Sequence, residues 1–284
     1  MVVVGWSVRV HRYTSVLGLA LALTMVPGRL QAQVPEASPS PFATVAEREA
    51  FLASARVVRV RSAGKGVTDT QRATLTDGVV THDASIQRID EARAVFEGRQ
   101  GREVDFKDSW RFNVAAYRID RLLELDMVPV SIERPHRGKA AAFTWWVDDV
   151  LMDEGERYRG KKSAPDTEHW NQQMWLTRLF DQLIANVDRN LGNLLIDRQW
   201  RVWLIDHSRA FRLNREPKSR DNLTRIERGL LERLRRLDKP AIQAAVGSYL
   251  TTFEIDALLQ RRDAIVSHFD ARGPAAIFER RPAQ

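Results

Sequence analysis

The chain has 284 residues, 44% of them hydrophobic and 29% charged. That balance excludes a disordered protein and allows one large domain or two small ones around a substantial core. Lys and Arg number 44 against 37 Asp and Glu, a formal charge of +7, and there is no cysteine. Disulfides, thiolate metal sites and cysteine nucleophiles are therefore excluded.

Residues 1–32 have the build of a secretory signal peptide. Arg9, His11 and Arg12 form a basic flank, Tyr13–Val26 is apolar, and Leu30-Gln31-Ala32 ends in a small residue. The apolar run is short for a bilayer. The expectation is therefore export to the periplasm or outside the cell, with no transmembrane span in the mature chain; an uncleaved membrane anchor is the alternative. Arg9, Arg12 and Arg29 supply three positive charges and the segment has no acidic residue, so the remainder carries +4. A surplus this small is not a nucleic-acid footprint, and it is compatible with phosphate-bearing ligands.

Residues 33–44, rich in Pro, Ala and Ser, read as a linker. Val45–Ala55 reads as a short helix, and Val57–Arg61 alternates as a strand. Ser62–Thr68, with Gly64-Lys65-Gly66, turns back into a strand at Gln71–Leu75. A strand–glycine turn–strand unit serves equally as a plain hairpin or as a cradle for phosphates. A third strand is expected within Thr81–Ile89, and Phe112, Ala115, Ala116, Ile119, Leu122 and Leu123 mark one face of a helix over Trp110–Leu125. Arg137-Gly138-Lys139 turns into a strand at Ala140–Val147, where Trp145 and Trp146 suit either the core or a flat aromatic ligand. The stretch 148–166 is charged and loop-like, and Arg157, Arg159, Lys161 and Lys162 there read as a solvated face or an acceptor contact. Helical spacing returns over 167–187, 220–237, 240–249 and 251–269, and the tail from Arg272 is expected to be flexible.

The chemistry is concentrated in Phe180–Phe211. The helix ending near Val187 runs into the polar loop Asp188-Arg189-Asn190-Leu191-Gly192-Asn193. Two short strands follow, Leu194–Ile196 and Trp200–Ile205, and the second delivers Asp206. Phosphoryl transfer needs positioned cations and a group that receives the acceptor's proton. A loop carboxylate, Asp188, suits the second task. An amide and a carboxylate, Asn193 and Asp206, suit a hard cation such as Mg²⁺.

Asp188-Arg189-Asn190-x-x-Asn193 and Ile205-Asp206-His207-Ser208-x-x-Phe211 resemble the catalytic and metal loops of kinase-fold enzymes. The likeness is to the bacterial phosphatidylinositol 3-/4-kinase-like branch and, more distantly, to secretory-pathway kinases. Arg111–Tyr117 resembles a helix of the same branch. The resemblance implies a two-lobed α+β protein-kinase-like fold, with a sheet-rich lobe over 45–147 and a helical lobe over 148–271. It implies ATP and Mg²⁺ as cofactors and a hydroxyl-bearing protein, carbohydrate or lipid head group as acceptor. Asp188 and Arg189 become the catalytic pair, Asn193 and Asp206 the metal ligands.

The chain departs from the pattern at one important pair. Kinases grip the phosphates with a strand lysine held by a helix glutamate. Here Gln87 or Arg88 falls at the first position and Asn113 at the second. A neutral Gln87–Asn113 pair would join strand to helix without leaving an unpaired charge. Lys65, Gln87, Arg88 and Trp146 are the candidate nucleotide contacts, with Lys107 as a further cation. The rival reading is a pseudokinase that binds nucleotide or a partner without catalysis.

Overall fold

In the computed structural model the described residues are 42, 44–64, 70–98 and 101–281. The leader 1–32, nearly all of the linker 33–44, and Lys65 lie outside them.

Thr44 opens the first helix, α1 (Val45–Ser54), with a capping box: its hydroxyl accepts from Glu47 N, and the Glu47 carboxylate accepts from Thr44 N. There follow β1 (Arg56–Ser62), β2 (Gln71–Thr76) and β3 (Thr81–Gln87). Next come a hairpin, β4 (Asp90–Gly98) and β5 (Gly101–Ser109), the helix α2 (Trp110–Leu122), and β6 (Ser131–His136) with β7 (Lys139–Trp145). The five longer-range strands form one antiparallel sheet in the order β1-β2-β3-β7-β6, and β4-β5 stands apart as a two-stranded ribbon. Ala73, Leu75, Ala84, Ile86, Ala141 and Phe143 supply the buried side of the sheet, the period-2 pattern of a half-covered sheet.

The second lobe begins with β8 (Val150–Asp153) and α3 (Glu154–Arg159), then α4 (Thr167–Leu183), β9 (Leu194–Asp197) and β10 (Val202–Leu204). β11 (Ile226–Glu227), α5 (Arg228–Arg236), α6 (Lys239–Val246), α7 (Thr252–Arg272) and β12 (Ile277–Phe278) complete it. The architecture is two-lobed α+β, sheet-rich first and helical second. No described helix is long and apolar enough to cross a membrane.

Four expectations need correction. The stretch 148–166 is not all loop: Val150–Asp153 pairs with β9, and Asp153 and Glu156 form a capping box that starts α3. Arg157 there bonds Glu154 at 2.6 Å and covers Trp170, so it is occupied within the fold. The helix from 167 stops at Leu183 because Ala185 turns left-handed at φ 49°. The hairpin β4-β5 has no counterpart in the sequence reading. Finally, the tail from Arg272 is docked: Ile277 and Phe278 pair in parallel with Ile226 and Glu227, and Phe278 is buried.

One side chain joins these pieces around the site. Arg261 of α7 is fully buried, and its bonds among the described residues run to backbone carbonyls. Its Nε donates to Leu183 O at 2.8 Å, and its Nη1 to Arg212 O at 2.8 Å and Asn214 O at 2.5 Å. Burial pulls its pKa down to about 10, which still leaves it charged at neutral pH. It ties the end of α4 to the chain just beyond Phe211, bracketing the polar loop from both sides.

Candidate functional site

The polar loop is organised by Arg189. Its Nε and Nη2 donate to Asp181 at 3.0 Å, its Nη1 to Asn193 O at 2.9 Å and Ile205 O at 2.7 Å, and Nη2 also meets His207 Nε2 at 2.9 Å. A guanidinium has five N–H donors, and all five are engaged. His207 is buried, and desolvation, aided by Arg189, holds its pKa well below the ordinary value, so the ring is neutral and accepts this bond. Arg189 is thus the hub of the loop and has no donor left for a phosphate.

Asp188 projects from the start of that loop and is exposed. Partial desolvation raises its pKa; Arg209 opposes the rise and Asp206 adds to it. Asn193 donates Nδ2 to Asp188 O at 3.4 Å and accepts Ile205 N through its main chain at 3.1 Å. Its side-chain oxygen takes no part in either bond. Asp206 follows β10 with φ 55°, a left-handed backbone in a short polar residue. The loop therefore brings Asp188, Asn193 and Asp206 together.

The amide pair that replaces a lysine–glutamate pair is present and extends further than the sequence reading supposed. Asn113 Nδ2 donates to Gln87 Oε1, and Asn113 Oδ1 accepts His207 N at 2.8 Å. Gln87 Nε2 donates to Thr70 Oγ1 at 3.0 Å and reaches Asp206 Oδ1 at 3.4 Å. Sheet, helix and the Asp206 carboxylate are joined through two neutral amides, and the Gln87 side chain is taken up between Asn113, Thr70 and Asp206.

The other candidate contacts are placed as follows. Arg88 is half-buried beside His136 at the end of β6, where its charge helps lower that imidazole's pKa after desolvation. Lys107 forms an ion pair with Glu254 at 2.7 Å. Trp145 belongs to the core, stacked on His82 at 3.6 Å and packed edge-on against Phe42 and Phe51. Trp146 is half-buried with the Arg72 guanidinium 4.2 Å above its ring, and Trp146 N donates to Asp83 O at 3.1 Å. The Arg72 guanidinium thus occupies one face of the Trp146 ring. A cavity of about 520 Å³ lies against Trp145, Tyr117, Arg201 and Trp203, and none of Asp188, Asn193 and Asp206 lines it.

Two residues at the site carried no signal in the sequence reading. Asp108, the penultimate residue of β5, is buried, and its Oδ1 has no hydrogen-bond partner among the described residues. Burial raises its pKa, a Ser208 hydrogen bond opposes the rise, and Asp206 reinforces it. Arg209 sits over the Phe106 ring at 4.5 Å and pairs with Glu103 at 2.5 Å. Asp108 is a lone acidic residue ahead of a helix cap, a common turn feature. Arg209 lay inside the metal-loop stretch, at a position the resemblance leaves unspecified.

The donor set is all oxygen and suits a hard divalent ion. Among the described residues no three His, Cys, Asp or Glu side chains group closely enough to hold a metal by themselves. An ion here would take Asp206 and Asn193 from the protein and complete its shell with phosphate oxygens and water, the usual manner for Mg²⁺.

No family model matches the chain. Two structures of the Golgi casein kinase are similar to it. One, with Mn and ADP bound, has a TM-score of 0.54 at 12% identity, covering 83% of this chain and 78% of that one. The other has a TM-score of 0.56 at 13% identity, covering 89% and 84%. The Helicobacter pylori proinflammatory kinase CtkA aligns with a TM-score of 0.50 at 11% identity, over 76% of this chain and 97% of that one. The fold is protein-kinase-like. In sequence, the chain is 24% identical over 111 residues to a 3-deoxy-D-manno-octulosonic acid kinase of Photobacterium damsela subsp. piscicida. That match spans 36% of this chain and less than half, 46%, of the relative.

Proposed function

We propose that this chain is a phosphotransferase, moving the terminal phosphoryl group of ATP to a hydroxyl acceptor with the help of Mg²⁺. The observation that carries the reading is the convergence of Asp188 and Asn193, on the loop held by Arg189, with Asp206 beyond β10, within a kinase-like fold. A bound divalent ion would neutralise the phosphate oxygens. The protein's own contribution is positional. Gln87 and Asn113 hold Asp206 and His207, and Arg189 fixes the spacing between Asp188 and Asn193. Asp188 is exposed and has a raised pKa, which favours receiving a proton from an acceptor hydroxyl. The loop spellings support the phosphatidylinositol 3-/4-kinase-like resemblance. The relatives named above include kinases for a sugar acid and for a protein, so a carbohydrate or protein hydroxyl is the acceptor class to try first, ahead of a lipid head group.

One observation favours the pseudokinase alternative: the neutral amide chain stands where a lysine–glutamate grip is usual, and it is closed upon itself. The test is ATP titration by calorimetry with and without Mg²⁺, followed by radiolabelled transfer to candidate acceptors. Wild type should bind Mg·ATP more tightly than ATP alone, and Asp206→Asn should lose that difference. Asp188→Asn should keep the binding and lose about 10²–10⁴-fold in turnover, the usual general-base contribution. A wild type that binds Mg·ATP but transfers no more than Asp188→Asn to any acceptor class makes this a binding module.

A further inference from the structure

Three carboxylates, Asp108, Asp188 and Asp206, gather at the site: after desolvation, the Asp206 charge helps raise the pKa of both Asp108 and Asp188. A nucleotide triphosphate would bring further negative charge to the same place, so its phosphates need a cation beyond a metal ion. The cations considered so far are engaged or lie elsewhere. Arg189 has all five donors in use within the loop. Lys107 is held by Glu254, and Arg88 lies by His136.

Arg209 differs from these. Its charge acts on both Asp188 and Asp108. Its Nε is buried without a hydrogen-bond partner among the described residues, although a buried donor of this kind normally has one. Its ion pair with Glu103 is shared: Glu103 Oε2 meets Arg209 Nη2 while Glu103 Oε1 meets Arg212 Nη2. Two guanidinium groups thus converge on one carboxylate. If Arg209 let go, Glu103 would remain paired with Arg212, which is also anchored to Asp105 O at 2.6 Å. Phe106 lies beneath both guanidinium groups, at 4.5 Å from Arg209 and 6.0 Å from Arg212. The flat ring offers a surface on which Arg209 can turn while keeping a cation–π contact.

We infer that Arg209 is the phosphate-facing cation of this site, parked on Glu103 in the free protein and transferred to the terminal phosphates of a bound nucleotide. The inference rests on the phosphotransferase reading and deepens it: the role of the missing strand lysine passes to a residue just beyond Asp206, under the control of the β4-β5 hairpin. Arginine suits the task because its planar fork can bond two phosphate oxygens at once.

The test compares Mg·ATP with AMP by calorimetry for wild type, Arg209→Met, Arg209→Lys and Glu103→Gln. AMP lacks the phosphates that Arg209 would meet. Arg209→Met should lose about 10- to 100-fold in Mg·ATP affinity, the scale of one charged hydrogen bond or two, with AMP affinity and melting temperature unchanged. Arg209→Lys should recover part of the loss. Glu103→Gln should bind Mg·ATP at least as tightly as wild type, because it weakens the resting partner. Equal Mg·ATP affinity in wild type and Arg209→Met overturns the inference alone, as does a parallel loss of AMP binding. A wild type that takes up no nucleotide removes the phosphotransferase reading and this inference with it.

Discussion

The loop Asp188–Asn193 and the hairpin β4-β5 both bring charged groups to Asp206, by opposite means. In the loop, one arginine reaches partners 4 to 18 residues away in sequence: Asn193, Asp181, Ile205 and His207. In the hairpin the deciding bonds run from Glu103 to Arg209 and Arg212, 106 and 109 residues on, and from Lys107 to Glu254, 147 residues on. A short-range network confines its members to a contiguous stretch, so their spacing can be read from the chain. A long-range one uses Glu, Lys and Arg residues like any others on the surface, and the sequence does not mark which of them meet.

The comparison predicts where the chain is least tolerant. Arg189→Met should be the most damaging change among those considered. Asp181 is 10% exposed in its side chain and would lose its charge partner, keeping one bond from Asn186 Nδ2 at 3.0 Å, while Ile205 O and Asn193 O would each lose a donor. Breaking such a pair costs about 3–5 kcal/mol. Urea unfolding should show a lower midpoint at unchanged slope. Adding Asp181→Asn should cost much less than its own single-mutant effect, because the two act as a unit. A loss below about 1 kcal/mol would mean the loop is held by its backbone and not by the arginine.

Asp120 makes bonds as short in range as those of the loop, 7 and 8 residues, yet it supports the strand leading to Asp206, and it sharpens the comparison. It is fully buried on α2 and accepts Met127 N at 3.0 Å and Val128 N at 3.2 Å; Met127 O in turn accepts Leu204 N at 2.8 Å, from the strand that delivers Asp206. Burial pushes its pKa up to about 7, against the backbone donors that lower it, from an ordinary 3.8. Between these values the folded chain holds a proton that the unfolded chain releases. Folding stability from this group therefore falls as pH rises from about 4 to about 7, by at most about 1.4 kcal/mol per pH unit. Asp120→Asn keeps an acceptor oxygen and cannot titrate, so its stability relative to wild type should climb from pH 5 to pH 7. A constant difference across that range would show that Asp120 is ionised in both states.

The same contrast explains which parts of the fold were legible. Alternating apolar residues marked the sheet strands, and Phe112, Ala115, Ala116 and Ile119 marked α2, because each element buries one face. The loop residues could be placed because they lie consecutively. β4 was not legible: six of its first residues in succession are exposed, so neither face carries an apolar signal. α3 is only six residues long and mostly charged, and its start was marked by Asp153 and Glu156 rather than by hydrophobicity. The docked tail depends on a two-residue pairing with Ile226 and Glu227, too short to leave a period. Arg209 is marked as a site residue only by its contacts with Glu103 and Phe106 of the hairpin, and Asp108 only by the hairpin's placing it near Ser208 and Asp206.

The smallest expected effect tests whether the hairpin and loop are separate in stability as well as in range. Lys107 is 23% exposed in its side chain and Glu254 3%, at 2.7 Å. Lys107→Met removes the tie from β5 to α7 and keeps most of the apolar stem. Glu254 is not stranded by the change, because its Oε2 also accepts Thr251 N at 2.7 Å and the Thr251 hydroxyl at 2.8 Å. The loss should therefore be about 1–2 kcal/mol, near that of a hydrogen bond between charged groups and below that of a pair whose partner is left bare. Glu254→Ala should cost more, since it removes the cap of α7 as well as the tie. Amide exchange followed by mass spectrometry locates the consequence. In Lys107→Met the amides of Asp90–Ser109 should exchange faster while those of Asp181–Asp206 keep their wild-type protection, as expected when a segment opens locally. If the loop loses protection to the same extent, hairpin and loop form one cooperative unit, and the range of their bonds does not divide them.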